Sequence, residues 1–186
     1  MDEQTLRNLL NLESEKSIGK IQIFDEIDST NSESLRQIQS GNIENRVVVA
    51  SSQTAGRGRR GRQWLSPKNA GIYLSLTRRF SMEANALQAL SLVTAISVVE
   101  ALYQLGAQGL QLKWPNDVLF EKKKLAGILL ELQHKENSRF VVFGIGVNIE
   151  LPADLLDSID RPVTDLDSIM NEPPCRVILL AALLNQ

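Results

Sequence analysis

The sequence predicts an α+β domain with a central mixed or antiparallel sheet and flanking helices. Short β-branched or alternating apolar runs recur from Ile21 to Val147, each of strand length. Helical patterning is confined to a few stretches, the longest over residues 82–105, and neither pattern dominates. A chain of 186 residues suits a single domain over 1–186 that buries most of its apolar surface.

Taken in order, Thr5-Leu6-Arg7-Asn8-Leu9-Leu10 reads as a short amphipathic helix, too small for a DNA-binding helix-turn-helix. Ile21-Gln22-Ile23-Phe24 alternates as a half-buried strand does. Glu33 stands three residues after Thr30, the spacing of a capping box, and Gly41 reads as the stop of that helix. Ser29 and Thr30 therefore sit at a helix start, where free N–H groups can face a polar ligand. Residues 46–51 form a β-branched run, a buried strand that delivers Gln53 and a basic loop to one edge of the sheet. The turn Ser66-Pro67-Lys68-Asn69 leads into a strand over 72–76.

Between 82 and 105 the chain is rich in Leu, Ala and Val, with Gly106 as a C-cap. Leu87, Leu90, Val98, Leu102 and Leu105 lie roughly on one face, and a long, mostly buried helix across the sheet is expected. The strand over 110–113 ends before Pro115, and Asn116-Asp117 invites a tight turn. Residues 118–120 and 125–132 read as a hairpin around Glu121-Lys122-Lys123-Lys124, in which Lys122 and Lys123 are solvated. The strand over 140–147 is interrupted by Gly144 and Gly146, where a ligand or another backbone comes close. After Pro152 a loop rich in Asp, Ser and Pro carries no assigned chemistry, and residues 175–186 open an apolar helix.

Composition narrows the function. No run approaches the ~18 apolar residues of a membrane span, and Met1-Asp2-Glu3-Gln4 lacks a basic-then-apolar signal region. A cytoplasmic protein is expected. A single cysteine, Cys175, excludes an internal disulfide, and with one histidine, His134, there is no zinc site. Any metal is then magnesium held by oxygens, largely those of a nucleotide. A sequence pI near 5.5 argues against a wide basic face for nucleic acid.

Against a net charge of only -2, Gly56-Arg57-Gly58-Arg59-Arg60-Gly61-Arg62 packs four arginines and three glycines into seven residues. Glycine lets backbone lie against a ligand, and arginine supplies a planar fork suited to phosphate or carboxylate. The stretch reads G-x-G-x-x-G, yet Gln63-Trp64-Leu65-Ser66-Pro67 does not open the helix a dinucleotide site needs. As a P-loop it has Arg62-Gln63 where Lys-Ser/Thr is required. By itself the loop also reads as an RGG-like nucleic-acid segment or a solvated basic turn.

The segment from Gln53 through this loop to Trp64 resembles the signature of the biotin protein ligase family. So do Lys113-Trp114-Pro115-Asn116-Asp117, Lys124-Leu125-Ala126-Gly127-Ile128-Leu129, Gly144-Ile145-Gly146-Val147-Asn148-Ile149 and Asp28-Ser29-Thr30-Asn31. With these five motifs in family order, the resemblance covers residues 21 to about 152. The resemblance implies a class II aminoacyl-tRNA synthetase-like catalytic domain, without the helix-turn-helix of some members and without their C-terminal SH3-like domain. It implies that biotin and ATP are substrates, joined as biotinyl-5′-adenylate, and that a biotin carboxyl carrier protein is the partner.

By the same resemblance, Ser29, Thr30, Asn31, Gln53, Arg57, Gly58, Arg59, Lys124 and Gly127 hold biotin. Arg59, Arg62, Trp64, Asn116 and Asn148 hold ATP or the adenylate, Arg59 and Lys124 act catalytically, and Asp117 is the candidate ligand of Mg2+. No nucleic-acid or membrane partner is implied, and a homodimer is compatible with it. Lipoate–protein ligases share the fold and chemistry but not the arginine-glycine loop. A non-catalytic adenylate-binding relative is disfavoured by the intact Arg59, Asn116 and Lys124. The apolar stretch 176–184 needs partners, so it marks a truncated chain or packs against its own sheet or a second copy.

Overall fold

The computed structural model describes residues 2–80, 87–135, 138–159 and 161–186. Their strands form one seven-stranded sheet in the order β1-β2-β3-β7-β6-β5-β4. These are β1 (Lys20–Ile27), β2 (Arg46–Gln53), β3 (Gly71–Phe80), β4 (Leu110–Lys113), β5 (Asp117–Phe120), β6 (Lys123–Lys135) and β7 (Ser138–Asn148). Only β1 and β2 pair in parallel, and the helix α3 (Thr30–Gln39) supplies the crossover that a parallel pair requires. All other neighbours are antiparallel, so the sheet is mixed, as expected.

Alternation along the strands gives the two faces different work. Ile72 and Leu74 of β3, Ala126 and Ile128 of β6 and Val147 of β7 point into the main core. There they meet Leu6 of α1 (Glu3–Arg7), Ala95, Val98 and Leu102 of α4 (Leu87–Gln104), and Leu179 and Leu180 of α6 (Arg176–Leu184). The opposite face carries α3, whose Ile38 packs on Phe140 and Val142. On that face the same central strands offer Tyr73, Ser75, Gly127, Glu131, Gly144 and Gly146, which are polar or small. Beside the small cluster under α3, this part of the face has little apolar bulk and leaves room for a ligand.

Several expectations change in detail. The N-cap of α3 is Ser29, whose hydroxyl accepts from the Ser32 N–H at 3.4 Å, so the Thr30–Glu33 capping box does not form. Thr30 is instead drawn toward β2 and β3, as described below. A second short helix, α2 (Leu12–Ser17), capped by Asn11, was not anticipated. The expected start of the long helix at 82–86 lies outside the described residues. The helix α4 is not buried all round: Ala95, Val98, Ala101 and Leu102 face the core, while Leu92, Val93, Ile96 and Tyr103 are exposed. An apolar sequence without a polar stripe gives no way to tell those faces apart.

The C-terminal apolar helix α6 packs on α4, α1 and β3, with Leu179, Leu180, Ala181 and Leu183 buried. Its first residue, Arg176, donates to Gly71 O and Ala50 O, both at 3.2 Å, and to Asn69 Oδ1 at 2.6 Å. Among the described residues no helix is long and apolar enough to cross a membrane.

At the mouth of α3, Arg36 grips Asp28 with two parallel hydrogen bonds of 2.8 Å. That grip holds the Asp28 carboxyl down to about 2, from a usual 3.8. The folded value lies below the unfolded one, so the pair stabilises the fold fully above about pH 4 and ceases to do so as pH falls through 2. Both side chains are nearly half exposed, which limits the gain to at most ~1 kcal/mol. Asp28→Asn is expected to lower the melting temperature slightly at pH 6 and to match the parent at pH 2. An equal loss at both pH values would assign the effect to something other than this charge.

Candidate functional site

The β2–β3 connection builds the site. Gln53 and Ser66 bridge at its base, Trp64 N donates to Gly56 O at 2.9 Å, and Gly58 N donates to Arg62 O at 2.8 Å. A short 3-10 turn, Arg59–Gly61, closes this small hairpin with Arg60 at φ 57. Because β2 and β3 lie inside the sheet, the hairpin folds over the sheet face instead of standing at an edge. Trp64 comes down on the glycines of β6 and β7. A Cβ at Gly146 would lie 2.5 Å from its ring, and one at Gly127 2.9 Å from it.

Under the hairpin is a cavity of about 390 Å³. Its inner wall is a buried polar network. The backbone N–H and hydroxyl of Thr30 donate to Gln53 Oε1 at 2.8 and 3.2 Å, and Gln53 Nε2 donates to Ser66 Oγ at 2.8 Å. Ser75 Oγ lies 2.8 Å from Thr30 Oγ1 and 2.5 Å from Asn31 Oδ1, with one proton to give between them. Asn31 Nδ2 donates to Glu131 Oε2 at 2.9 Å, and Arg57 donates to Glu131 Oε1 at 2.6 Å. Ser29, Thr30 and Asn31 are almost fully buried, a position polar side chains hold only with partners.

The outer wall is cationic. Lys124, only 7% exposed, donates its ammonium to Asp117 and stands 5.2 Å from the Trp64 ring centre. Burial pushes its pKa down, Asp117 pulls it back up, and the charges of Arg161 and Arg62 push it down further. Arg59 donates to Asn116 Oδ1 at 3.1 Å, and Asn116 Nδ2 donates to Ile128 O at 2.9 Å. Lys122 and Lys123 are exposed at the hairpin turn, as expected, whereas a register shift between Val118 and Leu119 accompanies the turn inward at Lys124.

A second cavity of about 210 Å³ adjoins the first, and Gln63, Trp64, Lys124 and Arg161 line both. Its remaining walls are mostly apolar: Leu65, Leu151, Leu155, Ile159 and Val163, with Asn148 at one end. Asn148 Nδ2 donates to Thr164 O at 2.9 Å and to Lys124 O at 3.4 Å, which ties this buried amide to the segment that pairs with Lys124. The Trp64 indole N–H is buried with no hydrogen-bond partner among the described residues.

Every residue singled out from the sequence lines one of the two cavities: Ser29, Thr30, Asn31, Gln53, Arg57, Gly58, Arg59, Arg62, Trp64, Asn116, Asp117, Lys124 and Gly127 the first, Asn148 the second. Three participants escaped sequence reasoning. Ser75 and Glu131 lie inside runs read only as strands, with no role assigned, and the face they line is covered by α3 and the hairpin. Arg161 lies in the stretch to which no chemistry was assigned, yet Lys124 N donates to Pro162 O at 2.9 Å and Thr164 N to Lys124 O at 3.0 Å. The arrangement can hold a ligand with a compact polar head, an anionic middle and a flat apolar end. It contains no Ser–His or Cys–His pair for covalent catalysis.

Residues 23–148 match the profile of the Biotin/lipoate A/B protein ligase family. Over 137 residues the chain is 40% identical to the bifunctional ligase/repressor BirA of Escherichia coli K12, a match covering 72% of this chain and 41% of that protein. It is 44% identical over 126 residues to the biotin–[acetyl-CoA-carboxylase] ligase of Paracoccus denitrificans, covering 66% and 51%. The biotin protein ligase from Aquifex aeolicus, solved in complex with biotin and ATP, superposes with a TM-score of 0.70 at 33% identity, over 90% of this chain and 68% of that one. The chain thus spans about half the length of the curated relatives it matches.

Proposed function

This chain belongs to the biotin/lipoate A/B protein ligase family, and from that premise we propose that it is a biotin–protein ligase. It joins biotin to AMP and passes the biotinyl group to a lysine of a biotin carboxyl carrier protein. One observation carries this reading: a polar-ended cavity and an apolar one meet at a cluster of cations. The biotin ureido ring faces Ser29, Thr30 and Asn31, adenine takes the apolar cavity beside Asn148, and the carboxylate meets the α-phosphate at Lys124.

A carboxylate oxygen of biotin attacks the α-phosphorus, the new C(O)–O–P bond forms, and the bond to the β-phosphate oxygen breaks as pyrophosphate leaves. Two anions must be brought together, so charge has to be neutralised first. Lys124 is fixed at the junction, and Arg57 and Arg59 close from the hairpin tip. Opposite charges ~4 Å apart are worth about 4 kcal/mol at a partly exposed site. In the second step the carrier amine attacks the acyl carbon, loses its proton, and AMP departs.

Magnesium fits this site only as a companion of the nucleotide. Among the described residues Asp117 is the carboxylate at the cation junction, and no cluster of three His, Cys, Asp or Glu occurs among them. One carboxylate is enough when phosphates supply most of the oxygens, and the ion would neutralise phosphate charge there.

The test is pyrophosphate release on mixing the protein with biotin and ATP. Release with biotin but not with lipoate supports the reading, and no release with either removes it. The Arg59 side chain is exposed and donates to Asn116, so its loss costs the fold little. Arg59→Gly is expected to release biotinyl-adenylate faster and to label accessible lysines less selectively. Parent-like retention of the intermediate, followed by rapid filtration, would remove Arg59 from this role.

A further inference from the structure

Arg161 lines both cavities, and its place is set by backbone pairing rather than by its own side chain. Residues 162–164 run parallel to Lys124 and are hydrogen-bonded to it on both sides. The Arg161 side chain is half-buried, and among the described residues no carboxylate pairs with it. The groups that act on Lys124 from nearby are Arg161, Arg62 and Asp117, and Asp117 is already taken by the lysine ammonium. Three cations thus converge where two cavities meet, with one carboxylate between them. A half-buried guanidinium left among like charges is unfavourable unless an anion completes the cluster.

We propose that Arg161 is a phosphate-binding residue, its guanidinium taking phosphoryl oxygens of the nucleotide at the junction of the two cavities. The identity of that nucleotide rests on the ligase reading above. A guanidinium presents two parallel donors that match two phosphoryl oxygens, which neither the Lys124 ammonium nor the indole N–H of Trp64 can do. The segment that carries Arg161 also supplies Ile159 and Val163 to the apolar cavity. Seating the base there therefore draws the guanidinium onto the phosphate, so base recognition and phosphate capture come from one short stretch.

The experiment is calorimetry on the parent, Arg161→Gln and Arg161→Lys, each saturated with biotin and titrated with AMP and, separately, with adenosine. Arg161→Gln is expected to weaken AMP by roughly 10- to 100-fold, the range for a lost charge-assisted hydrogen bond, and to leave adenosine and biotin unchanged. Arg161→Lys recovers only part of the loss. Unchanged AMP binding in Arg161→Gln overturns the proposal while leaving the ligase reading in place. Equal losses for AMP and adenosine also overturn it, because they mark a residue that merely shapes the loop. A parent that binds no biotin would sink the ligase reading, and this proposal with it.

Discussion

Lys124→Ala is expected to slow biotinyl-adenylate formation by about 10²–10³-fold, the usual loss when a preorganised group at developing charge is removed. The ammonium is buried, held by Asp117 and backed by the Trp64 ring, so it needs little reorganisation when the phosphate arrives. Removing it has a second effect, because Asp117 is then left facing the incoming anion alone. Lys124→Ala should therefore also destabilise the protein, and adding Asp117→Asn should restore stability without restoring the rate. Single-turnover pyrophosphate release separates the two effects.

The pH profile gives an independent check. Burial places the Lys124 pKa below its usual 10.5, so the charged form is lost as pH rises through that lower value. The alkaline limb of the first step then falls earlier than a free lysine would allow. A normal first-step rate in Lys124→Ala would return the residue to a structural role.

Gly144→Val is the second large effect, and it acts on the other wall. A Cβ at position 144 would lie 2.3 Å from Asn31 Oδ1. Asn31 cannot retreat, because Ser75 holds its oxygen and Glu131 its amide nitrogen. Overpacking of this kind costs ~1–3 kcal/mol, and each polar partner left unsatisfied adds ~1–3 more. With one partner lost, ~2–6 kcal/mol at ~2–4 °C per kcal/mol should lower the melting temperature by roughly 5–25 °C. Biotin affinity should fall with it, by about 10²-fold if two hydrogen bonds are misplaced. A melt within ~1 °C of the parent, with normal biotin binding, would mean that the inner wall yields where the hydrogen bonds say it is fixed.

The sheet was legible because β1 alternates, while β2 and β7 are β-branched or apolar runs of strand length. Alternation says nothing about what covers the second face. Ser75 and Glu131 therefore carried no signal of their own, although they are part of the wall that positions Asn31. The cap of α3 was misplaced by one residue for a related reason: Ser29 and Thr30 can both cap, and only the tertiary pull of Gln53 and Ser75 on Thr30 decides between them.

Lys124 was separated from Lys122 and Lys123 by family resemblance, since three consecutive lysines carry no internal distinction. Arg161 was invisible because its segment has no periodicity. Its importance comes from backbone pairing with a strand 38 residues earlier, whose register the contact between Lys124 and Pro162 records.

The hairpin base has a consequence for how the arginines act. Gln53 is bridged to Ser66 and Trp64 bonded to Gly56, so any lifting of the hairpin is confined to its tip, residues 57–63, which are themselves paired through Arg57 and Gln63. At ~3.5 Å per residue, the midpoint of such a span cannot move much beyond ~10 Å from its anchors. Its guanidinium groups are therefore intramolecular counter-ions whose effective concentration at the phosphate is set by this short span and not by the bulk solution. Added salt has to compete with that local concentration before it can loosen a bound intermediate, whereas the exposed lysines of the β5–β6 turn enjoy no such protection.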